Sequence, residues 1–337
     1  MTEPQSTNLI PYSESFDNSY WTKSGSSVVG GFSSPSADSP LGASKLVEDT
    51  STGIHQLFKN IFVSGDYTFS MFVKKAERSF LIIDEGSTSG GITINLTTGA
   101  YSTIGTSDVS VTSFNNDWYR VSISNTVAGV FQIRCYLSLD GFTLSYTGDG
   151  TSGVYIFGAQ LEELSYATSY MPTYGEISTR ASETVSNAGD ANTFNSTEGT
   201  LFIEAKGLVN GGGFRFVSLS SSSSNRIRLG FSSTASQISV LAQVDGGIIY
   251  NNGNIETSVS HNDVQKLALT YGSSGTKLYS NGVLAYSNVL DSSFVNTFTS
   301  AAFDDGNSAN PFYGKTSQVQ VFNAALSDAE LITLTTI

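Results

Sequence analysis

Paired carboxylates are the residue pattern that would signal glycoside hydrolysis, because retaining glycosidases use two carboxyl groups about 5 Å apart. The nearest candidates in the sequence are the adjacent acidic pairs Asp84-Glu85 and Glu162-Glu163. Neighbouring residues of a β-strand point to opposite faces, so neither pair can converge on one cleft. We therefore interpret both pairs as solvated strand ends and expect no catalytic residues.

Metal chemistry has little support in the sequence. His55 and His261 are the two histidines, and each stands beside turn-like sequence, which predicts surface positions and disfavours a zinc site or a catalytic triad. The best oxygen-rich cluster is Asp304, Asp305 and Asn307, which could hold a structural Ca²⁺. Turn formation explains this cluster equally well. No other cofactor is expected.

Carbohydrate binding requires only an exposed aromatic ring with hydrogen-bonding side chains nearby. Two clusters have this composition, and their members are Tyr20 and Trp21 in the first and Trp118, Tyr119 and Arg120 in the second. Tryptophan in a β domain lies more often in the core than on the surface. The alternating pattern around Trp118 favours a core position, whereas the loop-like context of Trp21 leaves both positions open.

Three tyrosines, Tyr166, Tyr170 and Tyr174, recur at every fourth residue. Pro172 and the surrounding Ser and Thr argue against a helix, so the spacing does not indicate a helical stripe. Tyrosine is enriched at protein interfaces, and we predict that these side chains dock between domains or onto a neighbouring subunit.

The amino-acid composition argues against nucleic acid and lipid membranes as partners. The 337 residues carry a net charge of −13, with 16 Lys and Arg against 29 Asp and Glu. No basic footprint is present, so nucleic acid and membrane insertion are not expected. Cys135 is the one cysteine and is predicted to be a small buried hydrophobe. The polar N-terminus predicts no signal peptide.

Short alternating segments separated by turn residues predict an all-β protein, made of two antiparallel β-sandwiches in tandem and one short C-terminal helix. Asn281-Gly282 is the strongest hairpin signal. Ser327 and Glu330 form a capping box that should start the helix. In the first half the pattern predicts several separate strands, among them Ile54–Phe62, Tyr67–Lys74, Trp118–Ser124 and Val130–Ser138.

Two segments of the first half resemble a known pattern. The sequences NLIPYSESFDNSYWTKSG, at Asn8–Gly25, and FGAQLEE…ATSYMPT…TR, at Phe157–Arg180, resemble the two ends of carbohydrate-binding-module-like jelly rolls in bacteriophage structural proteins. The resemblance implies a virion protein that folds in the host cytoplasm.

The second half resembles a different family. The segments GTLFIEA, KLALTY, KLYSNGVL and QVQVFNAALSDAEL, between Gly199 and Leu331, are similar to laminin-G-like or concanavalin A-like lectin domains. The predicted organisation is an N-terminal arm (1–8), a jelly roll (9–180), a linker (181–198) and a lectin-like sandwich (199–337).

These resemblances imply a non-enzymatic virion surface protein, either a head decoration or fibre or a tail-associated adhesin, that binds host glycans. Its expected partners are other virion proteins and further copies of itself, with a trimer favoured. The alternative is a free carbohydrate-binding protein or the binding module of a polysaccharide-degrading system. A polysaccharide depolymerase is the third reading. Fold alone does not decide between them.

Overall fold

The computed structural model describes residues 1–36, 39–86, 90–257, 259–294 and 298–337. The chain divides into two compact units. The N-terminal unit is Gln5–Ala181, and the C-terminal unit is Ser182–Ile337 together with Met1–Pro4. Both units are built from antiparallel strands, as the sequence pattern predicted. Among the described residues, no helix is long and apolar enough to cross a lipid bilayer.

In its described residues, the N-terminal unit contains fourteen strands and a 3₁₀ turn at Asn115–Asp117. The strands are β1 (Ser6–Asn8), β2 (Thr22–Ser24), β3 (Ser26–Phe32), β4 (Ala43–Glu48), β5 (Thr52–Ile54), β6 (Gln56–Lys75), β7 (Phe80–Asp84), β8 (Gly90–Asn95), β9 (Tyr101–Gly105), β10 (Asp108–Phe114), β11 (Trp118–Ser138), β12 (Ser145–Thr147), β13 (Gly153–Glu162) and β14 (Ser178–Arg180).

Two long strands, β6 and β11, organise the N-terminal unit. They pair without interruption from Tyr119 opposite Val73 to Tyr136 opposite Gln56. The segments predicted as four separate strands are therefore two strands. Glycine and polar residues at the middle of each strand gave the appearance of turns in the sequence.

The paired strands fold over to make both layers of a sandwich. Met71 lies opposite Val121, and Cys135 is 14 residues further along β11. A flat sheet would place Cys135 roughly 46 Å from Met71. Their sulfur atoms are instead 3.5 Å apart. Gly65 and Gly129, with φ of 130° and 134°, lie between the two parts and allow the bend.

The core of the N-terminal unit lies between these layers. Cys135 is buried in it, which confirms the prediction for the single cysteine. Strand β1 pairs with β14 and so closes the unit, with Ser6 opposite Arg180. The predicted arm, residues 1–8, thus divides between the units: Ser6–Asn8 is strand β1, and Thr2 bridges to Gly314 in the C-terminal unit.

The described part of the C-terminal unit forms two five-stranded sheets with a core between them. One sheet has the order β22-β21-β20-β15-β24 and the other β19-β18-β17-β16-β23. The strands are β15 (Gly199–Gly207), β16 (Arg215–Ser222), β17 (Asn225–Phe231), β18 (Gln237–Val244), β19 (Gly247–Glu256), β20 (Gln265–Tyr271), β21 (Thr276–Ser280), β22 (Val283–Asn288), β23 (Ser300–Ala302) and β24 (Gly314–Phe322).

Two local signals of the C-terminal unit are confirmed. Asn281 and Gly282, both at positive φ, join β21 to β22. Helix α1 (Asp328–Thr335) starts at a complete capping box of Ser327 and Glu330. The helix buries Leu331 against Phe202, on the side of the first sheet that faces away from the main core.

Candidate functional site

The outward face of β6 and β11 holds the best candidate binding surface in the N-terminal unit. It is a depression of about 280 Å³. We call it the β6–β11 face, and its residues are Ile54, Gln56, Phe58, Asn60, Gln132, Arg134 and Tyr136.

Strand alternation explains why these side chains meet. Leu57 on β6 and Ile133 and Cys135 on β11 point inward and are fully buried. Their neighbours therefore point outward. The register then sets them side by side as the cross-strand pairs Gln56 with Tyr136, Phe58 with Arg134, and Asn60 with Gln132.

Arg134 is the central polar group of this face. Its Nη1 donates to the Tyr136 hydroxyl oxygen at 3.2 Å, and its Nη2 donates to Gln132 Oε1. Asp84 on β7 lies opposite Arg134 in the ladder. Burial raises the pKa of Asp84, against the opposing effects of the Gly86 amide and the Arg134 charge. The guanidinium is thus held in one orientation by its neighbours.

Gln132 is positioned by a glycine. A Cβ at Gly86 would collide with the Gln132 side chain, so the amide packs directly against the backbone there. Gly86 also has a φ of 73°, which favours glycine. The local sequence therefore fixes where the Gln132 amide is presented.

The face combines apolar rings with hydrogen-bonding groups. Phe58 is half-buried, and Phe62, two positions beyond Asn60 on the same side of β6, is 83% exposed. None of the seven residues lining the depression is acidic. Such a surface can stack against an apolar ligand face and bond to hydroxyl groups, but its lining holds no carboxyl pair for hydrolysis.

A second depression of the N-terminal unit, of about 270 Å³, is polar throughout. Asp66 and Asp108 line it together with hydroxyl and amide side chains, and Asp66 Oδ1 accepts from Thr126 Oγ1 at 2.6 Å. No aromatic ring lines it. It therefore lacks the stacking surface that the β6–β11 face provides.

Trp21 is not an exposed platform. Its indole is 2% exposed and packs on Phe16 in the main core, with its N–H donating to the Tyr12 carbonyl. Tyr20 is half-buried beside it, under the Lys59 ammonium, and burial raises the pKa of Tyr20 to about 12. Of the two positions that the sequence left open for Trp21, the structure shows the core one, so Trp21 is excluded as a carbohydrate-binding candidate.

The second predicted cluster is also engaged internally. Trp118 is buried with Phe72 and Phe157, which agrees with the core position that the sequence favoured. Arg120 lies over the Phe72 ring and donates to Ser70 Oγ at 2.9 Å. Tyr119 points to the other side of β11 and packs against the main core. These residues do not assemble an exposed binding surface.

The tyrosine series separates into different environments. Tyr170 packs on Phe72 and Phe157, and its hydroxyl lies 2.7 Å from Ser13 Oγ. It therefore belongs to the fold of its own unit, which corrects the interface prediction for this residue. Tyr166 is half-buried and Tyr174 is 52% exposed. For these two the docking role stays a prediction.

The carboxylates of the predicted calcium cluster contact arginine side chains and backbone amides of the protein itself. Asp305 is buried, and its Oδ2 lies 3.6 Å from Arg226 Nη1 and 3.4 Å from Arg228 Nη1. Its Oδ1 accepts from the backbone N–H of Asn307, so that residue serves the turn. Asp304 accepts from the Gly306 amide. In the described parts of the chain, no three His, Cys, Asp or Glu side chains are grouped to hold a metal.

Four further surface predictions are corrected by burial. His55 and His261 are both fully buried, and their ring nitrogens meet backbone groups instead of solvent. Glu85 and Glu162 are also buried, not solvated. Glu162 accepts from Ser6 Oγ, Gln160 Nε2 and the Thr168 amide. Buried polar groups of this kind are structural when every oxygen is bonded.

Sequence reasoning missed the β6–β11 face. Its signal was the series Gln56, Phe58, Asn60 and Phe62 at alternate positions, opposite a series on the same strand that is apolar except for Lys59. A second series, Gln132, Arg134 and Tyr136, follows about 70 residues later in the chain. Only the register between the two strands shows that they share a surface.

Comparison with known proteins supports a lectin-like C-terminal unit. Residues 181–332 match a laminin-G family described as the concanavalin A-like lectin/glucanases superfamily. This match covers most of the C-terminal unit. The resemblance predicted for Gly199–Leu331 is thereby confirmed, and the match also includes the predicted linker. Phe194, from that linker, lies in the core of the C-terminal unit.

Three of the solved structures to which this chain is similar are the following. The first is the CBM40 of Ruminococcus gnavus IT-sialidase, with 22% identity over 42% of this chain and 83% of that one and a TM-score of 0.35. Domain 4 of AbnA, a GH43 extracellular arabinanase from Geobacillus stearothermophilus, has 16% identity over 44% and 70%, with a TM-score of 0.37. Mouse laminin α1 domains LG4-5 have 10% identity over 83% and 90%, with a TM-score of 0.29. No curated protein has a significantly similar sequence.

Proposed function

We propose that this protein binds carbohydrate without transforming it, and that the β6–β11 face is a binding surface. The observation that carries the proposal is the placement of the Phe58 and Tyr136 side chains in one depression with Gln56, Gln132 and Arg134. The match of residues 181–332 to a superfamily of lectins and glucanases supports the same ligand class.

The chemistry of the face suits a sugar. A pyranose ring presents C–H groups on one side, which pack on an aromatic ring, and hydroxyl groups at its edge, which need donors and acceptors. Amides supply both, and Arg134 adds donors in a fixed plane. Because the side chains stand on two hydrogen-bonded strands, little ordering is needed when a ligand binds.

The size of the face favours a chain of sugars over a single ring. From Gln56 to Phe62 the strand extends by roughly 20 Å. The exposed Phe62 ring at one end and the Phe58 ring near the middle lie on the same side of β6. An extended oligosaccharide that follows β6 can contact both rings, whereas one sugar ring contacts one of them.

This binding activity is common to a free lectin and to the binding module of a polysaccharide-degrading system. Attachment to host glycans from the surface of a virion, as a trimer held by other virion proteins after folding in the host cytoplasm, is a narrower proposal. It rests on the resemblance of Asn8–Gly25 and Phe157–Arg180 alone. Mass spectrometry of purified virions, with copy number, tests it.

A glycan array probed with the full chain tests the binding proposal. We expect oligosaccharides to be retained, and Phe58→Ala to weaken retention by about tenfold or more, since a ring contact contributes over 1 kcal/mol. Tyr174→Ala is the matched control, because it removes an exposed ring of the same unit outside the depression.

Two results would contradict the proposal. One is equal loss of binding in the Phe58 and Tyr174 variants with both chains folded. The other is release of new reducing ends from a bound polysaccharide, which would indicate hydrolysis.

A further inference from the structure

The C-terminal unit carries a second unusual surface, on the side of the sheet β19-β18-β17-β16-β23 that points away from its core. We call it the arginine face. Its residues are Phe214, just before β16, with Phe216, Ser218, Arg226, Arg228 and Ser239.

Alternation and register bring these side chains together. Ile227 and Leu229 on β17 are fully buried in the core, so Arg226 and Arg228 point to the other side. Ser218 on β16 lies directly opposite Arg228, and Ser239 on β18 lies opposite Gly230, the next outward position. Gly230 contributes no side chain and is buried, and a Cβ there would collide with the Arg215 carbonyl oxygen, so the backbones of β16 and β17 approach closely between these side chains.

An arginine stacked on aromatic rings forms the centre of the face. The Arg228 guanidinium carbon lies 4.2 Å from the centroid of the Phe216 ring. Phe216 is stacked in turn on Phe214, with centroids 5.7 Å apart and planes inclined by 14°. Phe214 is 38% exposed, so the stack ends in a ring that is open to solvent.

Three buried polar atoms of this face have no partner. They are Arg228 Nε, Ser218 Oγ and Ser239 Oγ, and Ser218 is 0% exposed. A buried donor or acceptor without a partner costs about 1–3 kcal/mol. Three such groups at adjacent positions of one sheet face are the arrangement expected of a site whose partner is a ligand.

The positive charge of the arginine face predicts that its ligand is an anion. Arg226 and Arg228 share the carboxylate of Asp305, at 3.6 and 3.4 Å, which is longer than a charge-assisted hydrogen bond. Asp304 acts on Arg226 from further away, and burial raises its pKa. Burial and the charge of Arg226 lower the pKa of Arg228, against the opposing charge of Asp305. An additional anion would stabilise this arginine.

We propose that the arginine face binds an anionic sugar, with its carboxylate or sulfate on Arg228 and Ser218 and its apolar side on Phe214. A planar guanidinium matches a carboxylate in a two-bond geometry. A long polyanion is disfavoured by the net charge of −13, whereas one acidic sugar needs only this local cluster. Because binding uses no metal, it is insensitive to chelators.

The test uses the full chain in EDTA at low salt, with ligand binding followed by saturation-transfer NMR. The probes are glucuronate, its neutral methyl ester, glucose 6-sulfate and acetate. We expect glucuronate or glucose 6-sulfate to bind, the ester to bind at least about tenfold more weakly, and added salt to weaken the acidic sugars. A preference between carboxylate and sulfate identifies the anion, and either one supports the proposal.

Three variants locate the site. Arg228→Lys keeps the positive charge but removes the planar guanidinium that can make two hydrogen bonds to one carboxylate. Phe214→Ala removes the exposed ring. Each variant should weaken binding of the acidic sugar by about tenfold. Ser218→Ala separates a ligand contact from a packing defect. If the hydroxyl binds ligand, this variant loses affinity while its melting temperature stays the same or rises, since an unpartnered group has been removed.

Arg134→Lys is the matched control, because it makes the same change on the β6–β11 face of the other unit. It should lower the affinity for glucuronate and for its methyl ester equally, whereas the Arg228 variant should lose affinity for glucuronate alone and keep its binding to neutral oligosaccharides. The two proposals can therefore fail separately.

Equal binding of glucuronate and its ester would overturn the proposal, and so would unchanged affinity in the folded Ser218→Ala and Phe214→Ala variants. If acetate competes as well as glucuronate does, the face takes simple anions and the assignment to a sugar is wrong.

Discussion

Two sheet faces, one in each unit, place an arginine beside an aromatic ring, and they differ in how well that arginine is bonded. On the β6–β11 face, Arg134 donates to Tyr136 and Gln132. On the arginine face, Arg228 has an unpartnered Nε and only a long contact to Asp305. An arginine beside an aromatic ring is therefore not enough to indicate a binding surface. A ligand can bond only to those donors of the arginine that are not already bonded within the protein.

The largest expected effect is a loss of stability when Trp21, which packs in the core beneath the β6–β11 face, is replaced. Trp21→Ala removes a buried indole from the core behind β6, and we expect the free energy of unfolding of the N-terminal unit to fall by about 3–5 kcal/mol. Hydrogen exchange followed by mass spectrometry should show faster exchange in peptides from β2 and β6. Exchange unchanged from wild type there would mean that the indole does not support the face. Phe58→Ala, on the outward side of the same sheet, is the control and should change exchange much less.

A matched pair of substitutions compares the acidic partners of the two arginines. Asp305→Asn leaves Arg226 and Arg228 close together without their shared carboxylate, and we expect a loss of about 3 kcal/mol in the stability of the C-terminal unit. Asp84→Asn should cost less than about 1 kcal/mol, because burial already raises the pKa of Asp84 and disfavours its charged form. Denaturant unfolding of both variants gives the comparison. Equal costs would show that the two arginines are held in the same way.

The smallest effect concerns a third arginine, Arg215, which lies 3.1 Å from His261 Nδ1. Burial, with the charge of Arg215, lowers the pKa of His261 against the opposing Gln237 carbonyl. The unfolded chain therefore binds a proton at higher pH than the folded one does. The stability from neutral His261 is complete above the unfolded pKa of about 6.5 and is lost as the pH falls towards the folded value.

Thermal melting between pH 7 and pH 5 measures this dependence. The C-terminal unit should melt at a lower temperature as the pH falls, and His261→Gln should flatten the slope. A slope that persists in the variant would assign the effect to other groups.

Local signals in the sequence predicted much of the fold. Period-two alternation gave the all-β class, Asn281-Gly282 gave a hairpin, and Ser327 with Glu330 gave the helix start. Each of these depends on a few adjacent residues. The similarity of the second half to laminin-G-like or concanavalin A-like domains was also found from its strand sequences, most specifically from the segment that leads into α1.

The prediction failed where distant parts of the chain decide the outcome. The breaks around Gly65 and Gly129 looked like turns because a glycine in a strand usually marks one, yet both strands continue through them. Trp21 turned inward because β2 pairs with β6 there, and nothing within ten residues of Trp21 specifies that pairing. Each candidate face is formed by residues from different strands that the pairing register brings side by side. A pattern within one segment of the sequence cannot show this pairing.

The pairing of β1 with β14 has a consequence for biosynthesis. Ser6 and Arg180 are separated by nearly the whole sequence of the N-terminal unit, so β1 lacks its ladder partner until β14 has left the ribosome. High contact order of this kind slows folding and prolongs the exposure of unpaired edges. The nascent chain should therefore depend on chaperones until Arg180 emerges, and truncation just before Ser178 should trap it in an aggregation-prone state.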